Sequence, residues 1–490
     1  MTDVSPAGER PAARPARKLF VLIAGPAASV ILMLLPAPEG MPPEAWRLVS
    51  LATWMAIWWL TEALPLAATA LVPIVVMPVY EIAPIRAVTE DYGHPLIFLF
   101  LGGFMLAMAI QSAGLHRRLA LHIVNLIGGS PRRIILGFML ATAFLSMWIS
   151  NPGAAMLMFT VGISVIGFVG QRCDDQAAVR GFGVALMLGI AYASSIGGVS
   201  TLIGTAPNAL LASTLEGEYG LQISFFQWMQ LGLPLTIVML PLCWLLLTGV
   251  LYPPRDIQIG DASDAIRDQI AALGPMSLHE KIVGATFALT AFGWVFRQPI
   301  AALTGLPISD TSIVIAAAIV LFAVPLSLSK GRFALDWDTA KALPWSVLIL
   351  FGGGLALAQG FQETGLAAWI GASVAGFQVS TFVLIVVITT VIVFATELTS
   401  NTATTATFLP VLAAVAVGLG LDPRLLALPV AFAASMAFMM PVATPSNAIV
   451  FSYEGLRIGD MARAGLWLNV FAIVVVSGMV YFVIRPMLGL

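Results

Sequence analysis

From Leu19 to the C-terminus the chain is a succession of apolar stretches, most of them long enough to cross a lipid bilayer as a helix. A crossing takes roughly 20 apolar residues. Such stretches run over residues 19–35, 47–64, 66–82, 95–112, 181–215, 228–250, 281–298, 310–328, 344–362, 424–452 and 464–485. Two more, 132–170 and 380–417, are split in the middle by polar residues. Composition agrees: 59% of residues are hydrophobic and 10% charged, against about 25% charged in an ordinary soluble domain. The expected fold is an all-α polytopic membrane protein with about eleven transmembrane helices, and 132–170 and 380–417 are read as two re-entrant hairpins.

The hairpin reading rests on what splits those two stretches. Ser400-Asn401-Thr402-Ala403-Thr404-Thr405 places five hydroxyl or amide side chains in six residues. Polar groups at membrane depth are costly and mark substrate or ion sites by default. Ser150-Asn151, within Met147-Trp148-Ile149-Ser150-Asn151-Pro152-Gly153, is a second such break at an offset of 250. The offset recurs. Phe100-Leu101-Gly102-Gly103-Phe104 matches Leu350-Phe351-Gly352-Gly353-Gly354 at 250, and Gly114-Leu115 matches Gly365-Leu366 at 251. Thr205-Ala206-Pro207-Asn208-Ala209 resembles Thr444-Pro445-Ser446-Asn447-Ala448 at 239. Counted along the chain, 95–112 is the fourth span and 344–362 the ninth. An odd separation makes the copies enter the membrane from opposite sides, which is the inverted-topology repeat of secondary transporters.

The expected domain plan follows. Residues 1–45 comprise a disordered tail, Met1 to Lys18, and the first transmembrane helix. Residues 46–250 form repeat 1, with hairpin 132–170 and a broken helix at 181–215. Residues 251–280 form a charged cytoplasmic connector, and 281–490 form repeat 2, with hairpin 380–417 and a broken helix at 424–452. A cytoplasmic N-terminus puts 18 Lys and Arg on the cytoplasmic side and 5 outside, as the positive-inside rule requires. An uncleaved first helix is preferred to a cleaved signal peptide, because many more spans follow.

Four breaks carry the chemistry: the two Ser-Asn tips, Gly197 to Asn208, and Pro441 to Asn447. Glycine and proline interrupt helices and free backbone groups, and such backbone is tolerated at membrane depth only when it is buried in protein or lines a wet cavity. Helix N-termini at the breaks suit an anion. Freed carbonyls, hydroxyls and amide oxygens suit Na⁺. No Lys or Arg lies near any of the four breaks. A single Ser or Thr in a membrane helix is usually a packing device; the matched pair of tips with both broken spans is read as a site. Glu62 is read as a structural polar anchor, Glu397 as a structural group able to orient its tip, and His116 and His122 as interfacial. Cys173 and Cys243 give no disulfide framework and no metal-ligand spacing. With no intramembrane His/Asp/Glu set, an enzyme is not expected, and no nucleic-acid partner or organic cofactor is implied.

Trp59-Leu60-Thr61-Glu62-Ala63-Leu64-Pro65-Leu66, Ser400-Asn401-Thr402 and the two Pro/Gly-broken segments resemble the divalent anion/Na⁺ symporter family of bacterial dicarboxylate transporters and mammalian sodium–citrate and sodium–sulfate carriers. The similarity covers nearly the whole chain after residue 45. It implies a substrate site of Ser150, Asn151, Ser200, Ser400, Asn401, Thr402, Thr444 and Pro445. It implies one Na⁺ site at Ser146, Ser150, Asn151 and Val199, and another at Thr396, Thr399, Asn401 and Ala443. It also implies a homodimer in the lipid of a bacterial inner membrane, with an elevator-type transport unit, and Na⁺-coupled uptake of a small anion, first among them a C4-dicarboxylate such as succinate, malate or fumarate. The alternative is a Na⁺-independent or H⁺-coupled carrier or exchanger of citrate, sulfate or another small oxyanion. One residue departs from the family pattern: the first tip reads Ser150-Asn151-Pro152, where a third-position threonine would add a hydroxyl and an N–H.

Overall fold

The computed structural model describes residues 15–254, 262–374 and 380–489. Residues 1–14 of the tail expected to be disordered, and 255–261 of the connector, lie outside the described residues. The first half runs α1 Pro15–Leu34, α2 Pro43–Thr61, α3 Leu66–Thr69, α4 Val72–Val79, α5 Ile85–Glu90, α6 Pro95–Ser112, α7 Leu115–Ile127, α8 Pro131–Ser146, α9 Asn151–Gly170, α10 Gln176–Gly198, α11 Ala206–Tyr219 and α12 Phe225–Leu245. After α13 Ala262–Leu273 the second half runs α14 Leu278–Val295, α15 Arg297–Thr304, α16 Asp310–Ala323, α17 Trp337–Ala340, α18 Trp345–Glu363, α19 Leu366–Val374, α20 Thr381–Leu398, α21 Asn401–Gly418, α22 Arg424–Ala434, α23 Pro445–Phe451, α24 Ile458–Gly478 and α25 Arg485–Met487. Among the described residues the β structure is one small antiparallel pair, β1 Pro325–Ser327 and β2 Arg332–Phe333.

Among the described residues, eight helices are long and apolar enough to cross a membrane. The expected count of about eleven is higher because several apolar stretches form shorter helices, among them Leu66–Val79, Asp310–Ala323 and Arg424–Ala434. The first of these is divided at Ala70 and Leu71, with Pro73 in the opening turn of α4. Helix α1 begins at Pro15, within the tail expected to be disordered; proline is welcome in a first turn.

Hairpin α8–α9 packs on α10, and hairpin α20–α21 packs on α22. The two halves then interlock: α23 lies against α9 and α10, and α11 lies against α21 and α22. Each broken helix therefore completes the surroundings of the other half's hairpin. Glycine permits the closest approaches. A Cβ on Gly197 would stand 2.4 Å from the Cα and carbonyl oxygen of Ala143 in α8, and one on Gly198 would stand 2.4 Å from the Asn151 side-chain oxygen. The repeated glycine pairs serve helix packing in the same way: Gly353 of α18 faces the backbone of Ala70, and Gly103 of α6 faces the side chain of Ile203.

Candidate functional site

The site begins where four helices start at the centre of the fold. Ser150 and Ser400 cap α9 and α21, their hydroxyls accepting from Gly153 N at 3.3 Å and Ala403 N at 3.4 Å. Thr444 caps α23 and accepts from Asn447 N at 3.1 Å, and Thr205 precedes α11 in extended backbone. Capping by Ser and Thr satisfies part of the unpaired N–H set of a first turn and leaves the rest facing outward.

Those helix starts line one cavity of about 990 Å³. Ser150, Asn151 and Pro152 face it from α9, Thr205 and Ala206 from α11, Ser400, Asn401 and Thr402 from α21, and Thr444, Pro445 and Ser446 from α23. Phe100, Phe104 and Phe351 supply an aromatic wall, and among the described residues Glu62 is the one charged group in the lining. With no Lys or Arg in that lining, the positive potential comes from helix N-termini, each worth about half an elementary charge. Ser200 is not part of it. The residue is fully buried and its hydroxyl donates to Thr236 Oγ1 at 2.7 Å. Thr205, the counterpart of Thr444 at the 239 offset, lines the cavity instead.

Behind each tip lies a cage of oxygens, built alike in both halves. In the first, the Ser146 hydroxyl meets the Ser194 carbonyl at 2.6 Å and the Asn151 side-chain oxygen at 2.5 Å. In the second, the Thr396 hydroxyl meets the Ala434 carbonyl at 2.9 Å and Asn401 Oδ1 at 2.8 Å. The Asn151 oxygen also stands 3.3 Å from the carbonyls of both Ser194 and Gly204. Four acceptors crowd one point around a single hydroxyl proton. Turned over, the Asn151 amide would donate to these oxygens; left as it stands, the all-oxygen set is of the type that suits a hard cation. Val199, expected in this cage, is not free for it. Its carbonyl accepts from Trp228 Nε1 at 2.9 Å and Asn208 Nδ2 at 3.4 Å, which uses both lone pairs. The Ser194 and Gly204 carbonyls stand at Asn151 in its place. In the second cage, Thr399 bonds the Ala395 carbonyl at 2.9 Å and Thr404 at 2.6 Å, and Ala443 lines the cavity beside Thr444.

Glu397, read from the sequence as a structural group able to orient its tip, is held by contacts that the fold brings together from a distance. Fully buried in the last turn of α20, its carboxylate accepts from Phe438 N at 2.7 Å, Met439 N at 2.9 and 3.0 Å, Met440 N at 3.1 Å and Asn469 Nδ2 at 2.8 Å. It ties the second tip to the non-helical segment between α22 and α23 and to α24. The matching position in the first half is Met147, whose backbone carbonyl receives the Thr201 hydroxyl at 2.5 Å.

Residues 16–488 match the model of the sodium:sulfate symporter transmembrane region. The chain belongs to that family. Among its members, the sodium-dependent dicarboxylate transporter SdcS of Staphylococcus saprophyticus is 41% identical to this symporter-family chain over 481 residues, 96% of this chain and 92% of the relative. SdcS of Staphylococcus aureus strain USA300 is 40% identical over 482 residues, 97% and 93% of the two chains. Two solved transporters are similar in fold alone. The YdaH transporter of Alcanivorax borkumensis has a TM-score of 0.54 at 13% identity, over 82% of this chain and 88% of its own. MtrF of Neisseria gonorrhoeae also has a TM-score of 0.54, at 14% identity over 95% and 94%. This family member is thus a multi-pass membrane protein of the transporter class.

Proposed function

We propose that the protein imports a small dicarboxylate together with Na⁺. The observation that carries this reading is the pairing of two like oxygen cages with one cavity onto which four helix starts open. In this scheme the cavity holds the dianion, with one carboxylate at each tip. Ser150, Asn151, Ser400, Asn401, Thr402, Thr205, Thr444 and Pro445 make the contacts. One Na⁺ sits at Ser146, Ser150, Asn151 and the carbonyls of Ser194 and Gly204, the other at Thr396, Thr399, Asn401 and the backbone near Ala434 and Ala443. The bound cations supply the positive charge that the lining lacks, which makes anion and cation binding interdependent. Each net positive charge entering gains about 2.3 kcal/mol per 100 mV of membrane potential.

The same reading assigns the protein to a bacterial inner membrane with a cytoplasmic N-terminus, and to a homodimer. Helices α8–α12 and α20–α24 form the unit that moves, while α1–α6 and α14–α18 stay fixed; the interlocking of the two hairpins within one set of helices supports that division.

Uptake of labelled succinate into proteoliposomes tests the proposal. An inward Na⁺ gradient is expected to drive accumulation, and replacing Na⁺ by K⁺ to abolish it. Equal uptake in both salts would point to the Na⁺-independent or H⁺-coupled reading and set this one aside. If succinate is not carried, uptake of labelled citrate and of labelled sulfate under the same Na⁺ gradient would name the anion.

Pro152 gives a second expectation. Its ring removes one N–H and its side chain one hydroxyl from the first tip, whereas Thr402 supplies both at the second. Pro152→Thr should lower the succinate KM about tenfold, since a hydrogen bond to a charged group contributes roughly 1.5–3 kcal/mol. An unchanged KM would mean that the first tip does not bear on a carboxylate.

A further inference from the structure

Two buried asparagines outside the cavity lining have no role in the scheme so far. Asn208 and Asn447 stand at equivalent places in the two halves, in the first turns of α11 and α23, and both are fully buried. The side-chain nitrogen of Asn208 donates to the carbonyls of Gly198 at 3.1 Å, Val199 at 3.4 Å and Thr201 at 2.7 Å. That of Asn447 donates to the carbonyls of Ala437 at 3.2 Å and Met440 at 3.0 Å. Among the described residues, neither side-chain oxygen meets a donor, so the carbonyls dictate how each amide is turned.

These carbonyls belong to Gly198, the last residue of α10, and to the stretches where the helices break, 199–205 and 435–444. There the regular backbone ladder is absent and cannot fix where each oxygen points. A cation cage depends on that direction. In the first half the connection is short: a Cβ on Gly204 would lie 2.3 Å from the Gly198 carbonyl oxygen, and the Gly204 carbonyl lies 3.3 Å from the Asn151 side-chain oxygen. Gly198, held by Asn208, thus backs the residue whose carbonyl faces the cage. In the second half Met440, held by Asn447, accepts from Ala443 N at 3.2 Å, next to Thr444 in the cavity wall.

We propose that Asn208 and Asn447 are positioning residues for the two cation cages, fixing their backbone oxygens and thereby setting Na⁺ affinity without touching the dicarboxylate. This inference rests on the Na⁺-coupled reading above. The test uses the full-length protein in proteoliposomes, as wild type, Asn208→Ala, Asn447→Ala and the serine variants, which keep a small donor. At saturating succinate, each alanine variant should need about tenfold more Na⁺ for half-maximal uptake, the effect of one lost hydrogen bond. The succinate KM at saturating Na⁺ should stay within about twofold and the maximal rate within about threefold, with serine intermediate. The Na⁺ concentration that raises the melting temperature of the purified protein should move by the same factor. A general packing defect would lower rate and stability at every Na⁺ concentration; an unmoved Na⁺ requirement with a reduced rate therefore overturns the proposal. Where an alanine variant does not accumulate, the serine variant decides by the same criterion. Wild-type uptake and melting indifferent to Na⁺ would overturn the coupled reading itself, and this inference with it.

Discussion

Asn401→Ala is expected to reduce succinate uptake at least a hundredfold in protein that still inserts and melts near the wild-type temperature. The residue serves two surfaces at once. Its side-chain oxygen is held by Thr396 in the second cage at 2.8 Å, and the residue lines the cavity in the first turn of α21. On the proposed reading, alanine removes a cation ligand and a polar contact to the anion together. Two contacts to charged groups, at roughly 1.5–3 kcal/mol each, exceed the 2.8 kcal/mol that makes about two decades. Asn151→Ala should behave likewise, since it meets Ser146 at 2.5 Å and faces the same cavity. Initial rates normalised to inserted protein are the measurement. Uptake above about a tenth of wild type in both variants would remove the tips from the site.

Glu397→Ala is expected to cost stability as well as transport, on the order of 4 kcal/mol. It deletes the shared acceptor of Phe438 N, Met439 N, Met440 N and Asn469 Nδ2, and each buried donor left without a partner costs about 1–3 kcal/mol. Glu397→Gln should not rescue it fully, because half of the new amide is a donor aimed at donors. Asn469→Ala removes only one of the four partners and should cost about 1–2 kcal/mol. Melting of the purified protein in detergent orders the three variants. A Glu397→Ala transition within about 2 °C of wild type would show that the carboxylate does not brace the break, since 1 kcal/mol shifts even a large domain by a few degrees.

The helical membrane fold and the two tips are legible because each rests on a pattern with few other solutions. An apolar run of helix length has one, and a polar cluster at its centre has very few. Ser200 shows where that legibility stops. Past Gly198 the helix ends, and with it the period that says which way a side chain points; a hydroxyl in a broken segment can face the cavity or turn back to bond Thr236. The repeat offset was the better guide there, since it pairs Thr205 with Thr444. The Val199 carbonyl was lost to Trp228, a partner 29 residues on, and Glu397 draws its donors from 41 to 72 residues away. No local pattern carries such contacts. Phe100, Phe104 and Phe351 lie in runs that are apolar all round, where the face toward the cavity looks like the face toward a neighbouring helix.

The unlike tips, Pro152 in one and Thr402 in the other, bear on how a substrate is oriented. A dianion with two identical ends can be turned end for end with no change in its contacts, so it has two equivalent ways to bind. That statistical factor of two is worth about 0.4 kcal/mol. An anion with unlike ends loses the degeneracy: if the tips bind as proposed, the end carrying more charge should settle at Thr402, where the donors are richer, leaving the other end to Pro152. On the proposed reading, the two sequence repeats no longer offer an anion the same donors, and selectivity among related anions is in part a preference for which end faces which tip.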